Sequence, residues 1–254
     1  MRLDLYQECF EQETYYWWHI AKQQLVISLI KKHSGNKKIK ILDLGCGTGA
    51  MLAKLRTLGT VFGADNSKLA LKFAHKRGLK NLYLCDFNKD SLPFADNSYD
   101  VILILDVIEH IKNPKLLLDE ISRVLAPDGL LIVIVPAYQS LWSYWDRILG
   151  HYRRYSKKKL LWLLKNHNFC PIYTSYLHAT ILAPATLVRL IRQKNYELKN
   201  GRIKLKNIPS DFRPLPKWLN SILLSISSLE RLILLRLGLP FGLSVIAVCQ
   251  KNKP

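Results

Sequence analysis

An apolar run that ends in three closely spaced glycines constrains the fold of this chain more than any other feature. Residues 39–50 read IKILDLGCGTGA, so Gly45, Gly47 and Gly49 follow directly on the apolar residues. Glycine adopts positive φ angles and lets a ligand approach the backbone where a Cβ atom would clash. The helix that starts after such a loop offers free N–H groups at its amino end. The stretch therefore predicts a strand, a ligand-binding loop and a helix.

Short apolar runs alternate with amphipathic stretches from residue 39 onward. Runs such as 100–105 (DVILIL) are apolar without alternation, which is typical of strands buried on both faces. Asn113 and Pro114 predict the start of a helix that the Pro127–Asp128–Gly129 turn ends. Strands that alternate with helices form a parallel sheet, so we expect an α/β fold. The predicted strands are 39–44, 60–64, 82–85, 100–105, 129–135, 171–177 and 243–249, and the predicted helices are 48–58, 67–77, 113–126 and 156–168.

Positive charge is concentrated in the second half of the chain. The 254 residues carry a net charge of +19, of which +3 falls on residues 1–150 and +16 on residues 151–254. This asymmetry indicates an anionic partner, either a nucleic acid or a membrane surface, unless it is only a solvated basic face.

Cysteine usage and the amino terminus indicate the compartment. The five cysteines are scattered and form no C-x-x-C pair, which argues against a disulfide framework or a zinc site and favours a reducing environment. The first residues, MRLDLYQECFEQE, are acidic and lack a basic segment followed by an apolar one, so we expect no signal peptide. A cytoplasmic location follows.

Two aspartates distinguish among the ligands that such a loop could bind. Gly45, Gly47 and Ala50 also fit the dinucleotide fingerprint, so the glycines alone do not decide. Asp65 follows Gly45 by 20 residues, at a strand end where a carboxylate binds a ribose diol. Asp43 would repel a pyrophosphate but attract the ammonium group of S-adenosylmethionine. The predicted ligand is a nucleoside with a cationic tail.

Four segments of the chain resemble, in order and spacing, the class I S-adenosylmethionine-dependent methyltransferases: ILDLGCGTG, GADNS, LYLCDFNKDSLPFADNSYDVILILDVIEHI and LDEISRVLAPDGLLIVIVP. The resemblance covers about residues 39–136. It implies a doubly wound, Rossmann-like sheet of seven strands in the order 3-2-1-4-5-7-6, with strand 7 antiparallel. The core would comprise 39–177 and 243–254, with a helical lid at 1–38 and a helical insertion at 178–242.

The resemblance also implies roles for residues at the carboxyl ends of the strands. A glycine loop would lie under S-adenosylmethionine, and an acidic residue after strand 2 would hold the ribose hydroxyls. A pair after strand 3 would meet the adenine, and a pair after strand 4 would line the methionine end. The predicted cofactor-binding residues are Asp43, Gly45, Cys46, Gly47, Gly49, Asp65, Asn66, Asp86, Phe87, Asp106 and Val107.

Two histidines are candidates for handling the proton of the acceptor. Methyl transfer from a sulfonium is an in-line displacement, and a hydroxyl acceptor must also lose its proton. His110, in DVIEHI, and His151, in GHYRRYSKKKL, follow strands 4 and 5 on the ligand rim of the sheet, and we expect one of them to be the general base. The EH pair resembles the ubiquinone-type O-methyltransferase branch. Acidic residues and histidines do not cluster at ligand spacing along the chain, so we expect no metal site.

Aromatic and basic residues flank the predicted acceptor site. In YYWWHIAK, residues 15–22, helical spacing places Tyr15, Trp18 and Lys22 on one face. In the family an N-terminal helix often covers the cofactor, so Trp17 or Trp18 is expected to close the site, or else the helix packs against the sheet edge. The basic residues of RRYSKKK at 153–159 are predicted to bind a phosphate or a carboxylate of the acceptor. The alternative is that they form a solvated charge run. The residues predicted to bind the acceptor are Trp18, Tyr152, Arg153 and Arg154.

The segment 178–242 is the part least explained by the family. Residues 189–217 are basic, and 215–237 are amphipathic, with Trp218, Ile222 and Ile226 on the apolar face. No uncharged run reaches the roughly 18–20 residues that span a bilayer. The segment is predicted to lie in a membrane interface, to cap the domain, or to do both.

The sequence thus predicts a methyltransferase that acts, at oxygen, on an apolar or lipid-linked small molecule at the cytoplasmic membrane face. One alternative is an RNA or protein methyltransferase that uses the basic half to bind anions, although no separate nucleic-acid module is evident. Another is a non-catalytic, cofactor-binding scaffold recruited to membranes.

Overall fold

The computed structural model describes residues 3–35, 38–89, 91–198 and 215–252. Seven strands in this part of the chain form a single sheet: β1 (Ile39–Leu44), β2 (Gly59–Asp65), β3 (Leu82–Leu84), β4 (Tyr99–Leu105), β5 (Leu125–Pro136), β6 (Phe169–Leu177) and β7 (Ser244–Lys251). Their order is β3-β2-β1-β4-β5-β7-β6. Strands β1 to β5 run parallel, and β7 runs antiparallel to β5 and β6. The predicted fold and strand order are confirmed.

Helices cover both faces of the sheet and extend from its ends: α1 (Leu3–Gln12), α2 (Trp17–Ser34), α3 (Ala50–Leu55), α4 (Lys68–Lys76), α5 (Pro114–Val124), α6 (Tyr144–Leu149), α7 (Lys157–Lys165), α8 (Leu182–Leu198) and α9 (Lys217–Leu237). Serine side chains cap α4 and α7, where Ser67 and Ser156 accept backbone N–H bonds from Ala70 and Lys159 at 3.3 and 3.2 Å. Such caps satisfy N–H groups that have no partner in the first helical turn.

The predicted boundaries differ from the structure by a few residues, and each difference has a local cause. Strand β1 matches its prediction. Strand β5 begins at Leu125, four residues earlier than expected, because the Pro127–Gly129 turn forms an irregularity inside the strand and Asp128 has φ 61°. Helix α7 ends at Lys165 instead of 168, and Asn168 has φ 66°. Helix α2 begins at Trp17, so Tyr15 lies outside the helical face predicted for it.

The central strand β4 is buried on both sides, as its continuous apolar sequence predicts. Ile102 and Ile104 pack in one core cluster with residues of α5 and β5, and Val101 and Leu103 pack in another with residues of α2. All four side chains are fully buried. Burying an aliphatic side chain of this size stabilises the fold by about 1.5–3 kcal/mol.

The two segments outside the methyltransferase-like core pack against each other. Helix α9, inserted between β6 and β7, lies along α2. The Trp17 N–H donates to Asn220 Oδ1 at 2.9 Å, the Arg231 guanidinium donates to Gln24 Oε1 at 2.9 Å, and Lys32 donates to the Leu235 carbonyl at 2.9 Å. Residues 199–214 of the predicted basic stretch lie outside the described residues.

Candidate active site

The glycine loop after β1 has the conformation that the sequence predicts. Gly45, Gly47 and Gly49 have φ angles of 77°, 55° and 81°. A Cβ atom on Gly45 would lie 2.5 Å from Val107 Cγ2, so this glycine permits close packing of the β1 and β4 loops. A Cβ atom on Gly47 would meet no atom within 4 Å. Gly47 therefore faces open space, as a residue beneath a ligand must.

Asp65 fixes the glycine loop from the end of β2. Its carboxylate accepts the Gly47 N–H and the Ser67 N–H, each at 2.9 Å. Burial raises its pKa, although these backbone N–H bonds act in the opposite direction. A backbone N–H bond from Asn66 also acts on this carboxylate, and since a carboxylate has about four acceptor sites, capacity for a ligand hydroxyl remains. The neighbouring Asn66 is exposed.

Asp43 lies buried below this loop, with only 3% of its surface exposed. Burial, followed by the nearby Asp65 carboxylate, raises its pKa to about 8. Without a ligand the Asp43 carboxyl is therefore mostly protonated at pH 7. A ligand cation placed beside it would favour the ionised form.

Asp106, at the end of β4, has a partner that the sequence did not reveal. It has φ 57°, and the Lys22 ammonium of α2 contacts its Oδ2 at 2.5 Å. Burial alone would raise the pKa of Asp106, but the Lys22 charge outweighs it and lowers that pKa. The ion pair joins the N-terminal helical segment to the predicted methionine end of the cofactor site.

A second contact between the N-terminal segment and the loop involves Glu13. Its carboxylate accepts a bond from the Thr48 hydroxyl inside the glycine loop, and Arg77 contacts it at 3.4 Å. Arg77 also donates to the carbonyls of Phe10 and Thr48 at 2.7 and 2.9 Å. Helix α1 is thereby held against the loop, a contact between distant segments that no local motif predicts.

The adenine-side residues differ in exposure. Asp86 accepts the Asn88 N–H at 3.1 Å and pairs with Lys89 at 3.2 Å. Phe87 is 92% buried in the main core cluster, and Cys46 is buried against α3 and α4, so its side chain faces away from the open loop. Stacking of Phe87 on the adenine stays a prediction.

His110 and His151 are brought together beyond the end of β4. Their ring centroids are 4.6 Å apart and their planes are nearly perpendicular. Burial, and then the neighbouring His151, lower the pKa of His110 to about 4, so its imidazole is neutral at pH 7. His151 Nδ1 lies 2.9 Å from Asp146 Oδ1, an arrangement that orients the ring and leaves Nε2 free to face other groups.

Glu109 completes this cluster. Ligand atoms of Glu109, His110 and His151 all lie within 4.8 Å of one another, although the three residues are not spaced as ligands along the chain. The expectation that the protein has no metal site stays a prediction. The cluster is not evident in the sequence, because His151 is far along the chain from Glu109 and His110. Only the tertiary fold brings it to the turn that carries them.

Arg154 does not bind an acceptor as predicted, because its side chain is buried and bonds to groups inside the protein. Its Nε and Nη2 donate to the two carboxylate oxygens of Asp146 at 2.8 and 3.0 Å, and its Nη1 donates to the Ala137 carbonyl at 3.2 Å. Both charged side chains are almost fully buried. The Ser143-x-x-Asp146 capping box of α6 was a sequence signal that could have located Asp146.

The other residues predicted to bind the acceptor remain at the rim. Tyr152 is half exposed, and Arg153 donates to the Lys112 carbonyl at 2.9 Å. Trp18 of α2 stacks on His178, which follows the end of β6, with ring centroids 3.9 Å apart. His178 in turn donates its N–H to Glu230 of α9 at 2.6 Å. A small cavity beside these residues is lined by Lys22, Leu25, His178, Glu230, Arg231 and Leu234, among others.

Comparison with known proteins shows which proteins this chain resembles. The methyltransferase domain model Methyltransf_11 matches residues 42–133, which contain the glycine loop, Asp65 and the β4 turn. A ubiquinone biosynthesis O-methyltransferase of Rickettsia prowazekii is 30% identical over 144 residues, which are 50% of this chain and 56% of that protein. The chain thus spans about half the length of this relative.

Two further matches extend over more of the chain. A ubiquinone biosynthesis O-methyltransferase of Glaesserella parasuis is 26% identical over 234 residues, covering 84% of this chain and 90% of that protein. Among solved structures, a putative methyltransferase in complex with the Haloferax volcanii Trm112 methyltransferase activator has a TM-score of 0.61 at 19% identity, covering 99% of this chain and 96% of that one. At this identity the structural match shows the fold.

Removal of the Asp146 carboxylate should destabilise the protein strongly. We expect Asp146→Ala to lower the free energy of unfolding by about 3–5 kcal/mol, because Arg154 is left buried without its counter-charge. Urea denaturation followed by circular dichroism measures this. Asp119→Ala is the matched control, since Asp119 also pairs with a histidine, His167, but is mostly exposed, and it should cost less than about 1 kcal/mol. Equal losses in the two variants would contradict the structural role of Asp146.

Proposed function

Because this chain belongs to the class I S-adenosylmethionine-dependent methyltransferases, we propose that it transfers a methyl group to an oxygen atom of an apolar or lipid-linked small molecule. Its family and structural neighbours imply S-adenosylmethionine as the cofactor. The observation that carries the choice of oxygen is the cluster of Glu109, His110 and His151, which lies directly after the cofactor-side residues Asp106 and Val107.

This cluster is suited to a hydroxyl acceptor. In the transfer, the oxygen forms a bond to the methyl carbon, the carbon–sulfur bond breaks, and S-adenosylhomocysteine leaves as a neutral thioether. The hydroxyl proton must leave as well, and the neutral imidazole of His110 beside the acceptor can accept it. The names of the two O-methyltransferase relatives support transfer to oxygen.

The chain's own residues prepare the cofactor site electrostatically. Asp43 and Asp65 are buried carboxyl groups with raised pKa values, and both lie at the loop that would receive a cationic ligand. The ammonium and sulfonium charges of the cofactor would be stabilised beside them. Lys22 already neutralises Asp106, so the acidic surplus lies on the Asp43 side of the loop.

Helix α9 supports a lipid-linked acceptor because much of its apolar surface is exposed. Its polar residues Asn220 and Arg231 face α2, with which they form hydrogen bonds, and Glu230 is buried. Leu234 is buried as well, but six large apolar residues are exposed, among them Trp218 at 66% and Leu229 at 63%. In a soluble domain such residues usually face the core. The exposed apolar residues of α9 are Trp218, Ile222, Leu229, Leu232, Ile233 and Leu237, and we call them the outer face.

Length and composition agree with contact to lipid. Helix α9 has 21 residues and contains an 18-residue stretch with a mean hydropathy of 1.4, so by length and composition alone it is long and apolar enough to cross a membrane. Its hydrogen bonds to α2 favour a position along the interface instead. We propose an anionic bilayer as the partner of the outer face, because residues 151–254 carry a net charge of +16.

The outer face and the candidate active site are physically connected. Glu230 accepts bonds from the His178 N–H and from the N–H and hydroxyl of Thr180, at 2.6, 3.0 and 2.8 Å. His178 stacks on Trp18, one helical turn before Lys22, which contacts Asp106. An acceptor whose apolar part stays in the bilayer would therefore lie close to the helices that border the site.

The proposed activity is tested by release of S-adenosylhomocysteine. We expect release with hydroxyl-bearing isoprenoid acceptors in lipid vesicles, and less with water-soluble phenols, because only the former combine a hydroxyl with an apolar chain. Mass spectrometry of the product locates the methyl group. Release only with RNA or protein would support the alternative acceptor classes and overturn the proposal. No release with any acceptor would favour a cofactor-binding scaffold.

The cofactor assignment is tested by calorimetry. Asp65→Ala should weaken S-adenosylmethionine binding by about 1.5–3 kcal/mol, because charge-assisted bonds are lost, and Gly47→Val should abolish binding by filling the ligand space. Asp100→Ala removes a carboxylate that accepts a backbone N–H far from the loop, and Gly35→Val imposes comparable strain in open space. Both controls should bind normally. Normal affinity in the first two variants would contradict the assignment.

Membrane contact is tested by co-sedimentation with phosphatidylcholine vesicles, with and without phosphatidylglycerol, at low and high salt. Each basic residue near an anionic surface contributes roughly 1 kcal/mol, which salt screens. The outer face contributes about 25 cal/mol per Å² buried, which salt does not screen. We therefore expect anionic lipid to promote binding and a salt-resistant fraction to remain. Replacing Trp218, Ile222 and Leu229 by serine should remove that fraction.

A matched variant makes this test specific. Trp162, Leu116 and Ile172 are also exposed, at 60%, 62% and 40%, but lie on other elements. Their replacement by serine should leave the salt-resistant fraction unchanged. If both triple variants behave alike, or if the wild type ignores anionic vesicles, the outer face does not meet membrane. Binding to RNA that disappears steeply with salt would favour a nucleic-acid partner instead.

A further inference from the structure

Two basic residues flank the histidine pair at the rim of the candidate active site. Lys112 follows His110 by two residues, and Arg153 follows His151 by two residues. Arg153 Nη2 donates to the Lys112 carbonyl at 2.9 Å, so the fold brings the two segments together. Both residues therefore lie beside the place where an acceptor would meet the histidines, and we call Lys112 and Arg153 the basic pair.

Hydrogen bonds hold the backbone around the basic pair in place. The Lys112 N–H donates to Asn88 Oδ1 at 3.0 Å. The Tyr152 N–H, next to Arg153, donates to the Glu109 carbonyl at 2.7 Å. A ligand that binds residues already held in this way loses less free energy to ordering the protein.

The Arg153 guanidinium is oriented and still has donors to offer. Its Nη2 bond to the Lys112 carbonyl and a side-chain hydrogen bond with Tyr155 hold it. It also lies 5.9 Å from the centre of the Tyr152 ring, within the range of a cation–π contact. A guanidinium has five N–H donors in a planar fork, so donors remain for an anion, and the fork matches the oxygens of a phosphate.

The basic pair has no acidic counterpart within the part of the chain that the structure describes, where no carboxylate forms an ion pair with either side chain. The aspartates of this region already pair with other cations: Asp146 with Arg154, Asp106 with Lys22, and Asp86 with Lys89. Burial raises the pKa of Glu109 well above its usual value, which favours the neutral carboxyl group. The rim therefore carries positive charge that these residues do not balance.

We propose that the basic pair binds a phosphate group carried by the acceptor, which makes the acceptor of the proposed reaction a phosphate-bearing molecule. A phosphate monoester carries a charge of about −1.5 to −2 at pH 7, which two cations match better than the single charge of a carboxylate. Lys157, Lys158 and Lys159 begin α7 just beyond Arg153 and would draw anionic ligands toward the pair. The identity of the ligand as the methyl acceptor rests on the proposed function, whereas phosphate binding depends only on these residues.

Phosphate binding is tested by calorimetry with geranyl phosphate and geraniol, which differ only in the phosphate group. We expect geranyl phosphate to bind at least about tenfold more tightly, because charge-assisted hydrogen bonds form only with the phosphate. Arg153→Gln and Lys112→Gln should each remove most of this preference. Lys165→Gln removes an exposed charge from the last turn of α7 and should bind as wild type. No preference in the wild type, or equal losses in all three variants, would overturn the proposal.

Two features of the design keep the test valid if Arg153→Gln does not fold. Lys112→Gln retains the backbone carbonyl that Arg153 contacts, so it removes charge and leaves that bond in place. Nuclear magnetic resonance of the wild type needs no variant for its readout: inorganic phosphate should shift the Nε–H resonance of Arg153. The resonance of Arg123, which pairs with Asp96 and Glu120, should not move. An unmoved Arg153 resonance, or equal shifts of both, would contradict the site.

Two further measurements identify the source of the phosphate. Inorganic phosphate should compete with geranyl phosphate, since both would bind the same pair. Phosphatidylcholine vesicles that contain phosphatidylglycerol should bind Arg153→Gln as well as they bind Lys165→Gln, which loses the same charge elsewhere. Weaker vesicle binding by Arg153→Gln alone would assign the basic pair to a lipid headgroup and overturn its assignment to the acceptor.

The phosphate site and the proposed function fail in different ways. Geranyl phosphate binding that depends on the basic pair, with no methyl transfer to any hydroxyl acceptor, would leave the site intact and refute the function. Methyl transfer to hydroxyl acceptors that is indifferent to their phosphate groups and undiminished in Arg153→Gln would leave the function intact and refute the site.

Discussion

Parallel pairing of β1 with both β2 and β4 is the constraint on which the rest of the structure depends. Leu44 pairs with Ala64 on one side and with Ile104 on the other, so three strands end at the same edge of the sheet. The residues that follow are Gly45, Asp65 and, one position later, Asp106. Their proximity is a consequence of backbone hydrogen bonding, because the carboxyl ends of parallel strands in register must coincide. Apolar packing on both faces keeps that register, since a one-residue slip would turn each side chain into the opposite core cluster and disrupt the packing of both.

An unusual density of acidic groups surrounds that edge. Asp43, Asp65 and Glu109 are buried with raised pKa values, whereas Asp106 is kept ionised by Lys22. Buried carboxyl groups are unfavourable unless protons or cations accompany them. The site is thus arranged for positive charge, which accords with a cationic cofactor on the Asp43 side. Glu109, on the acceptor side of the same edge, has no side-chain hydrogen-bond partner within the part of the chain that the structure describes.

The C-terminal insertion shows that a helix with one amphipathic pattern can be oriented in two ways. The periodicity of 215–237 separates an apolar face from a polar one but does not indicate which of them faces the protein. In the structure Asn220, Glu230 and Arg231 face inward, where α2 and the turn after β6 supply partners for them. The inward face is specified by hydrogen bonds and charge, and the apolar face is left outside. Ile226, predicted to belong to the apolar face, is only partly exposed, whereas Leu229 is fully part of the outer face.

The sequence by itself determined the fold, the strand order through its resemblance to a family, and the glycine loop with Asp43 and Asp65. These features depend on local chemistry, since strand apolarity and positive φ angles are properties of short segments. Tertiary structure decided what depends on contacts between distant segments. It joined Lys22 to Asp106, turned Arg154 from a predicted acceptor clamp into the buried partner of Asp146, and placed His151 beside Glu109 and His110. Such pairings follow from how helices pack on a sheet, and residue spacing along the chain carries no record of them.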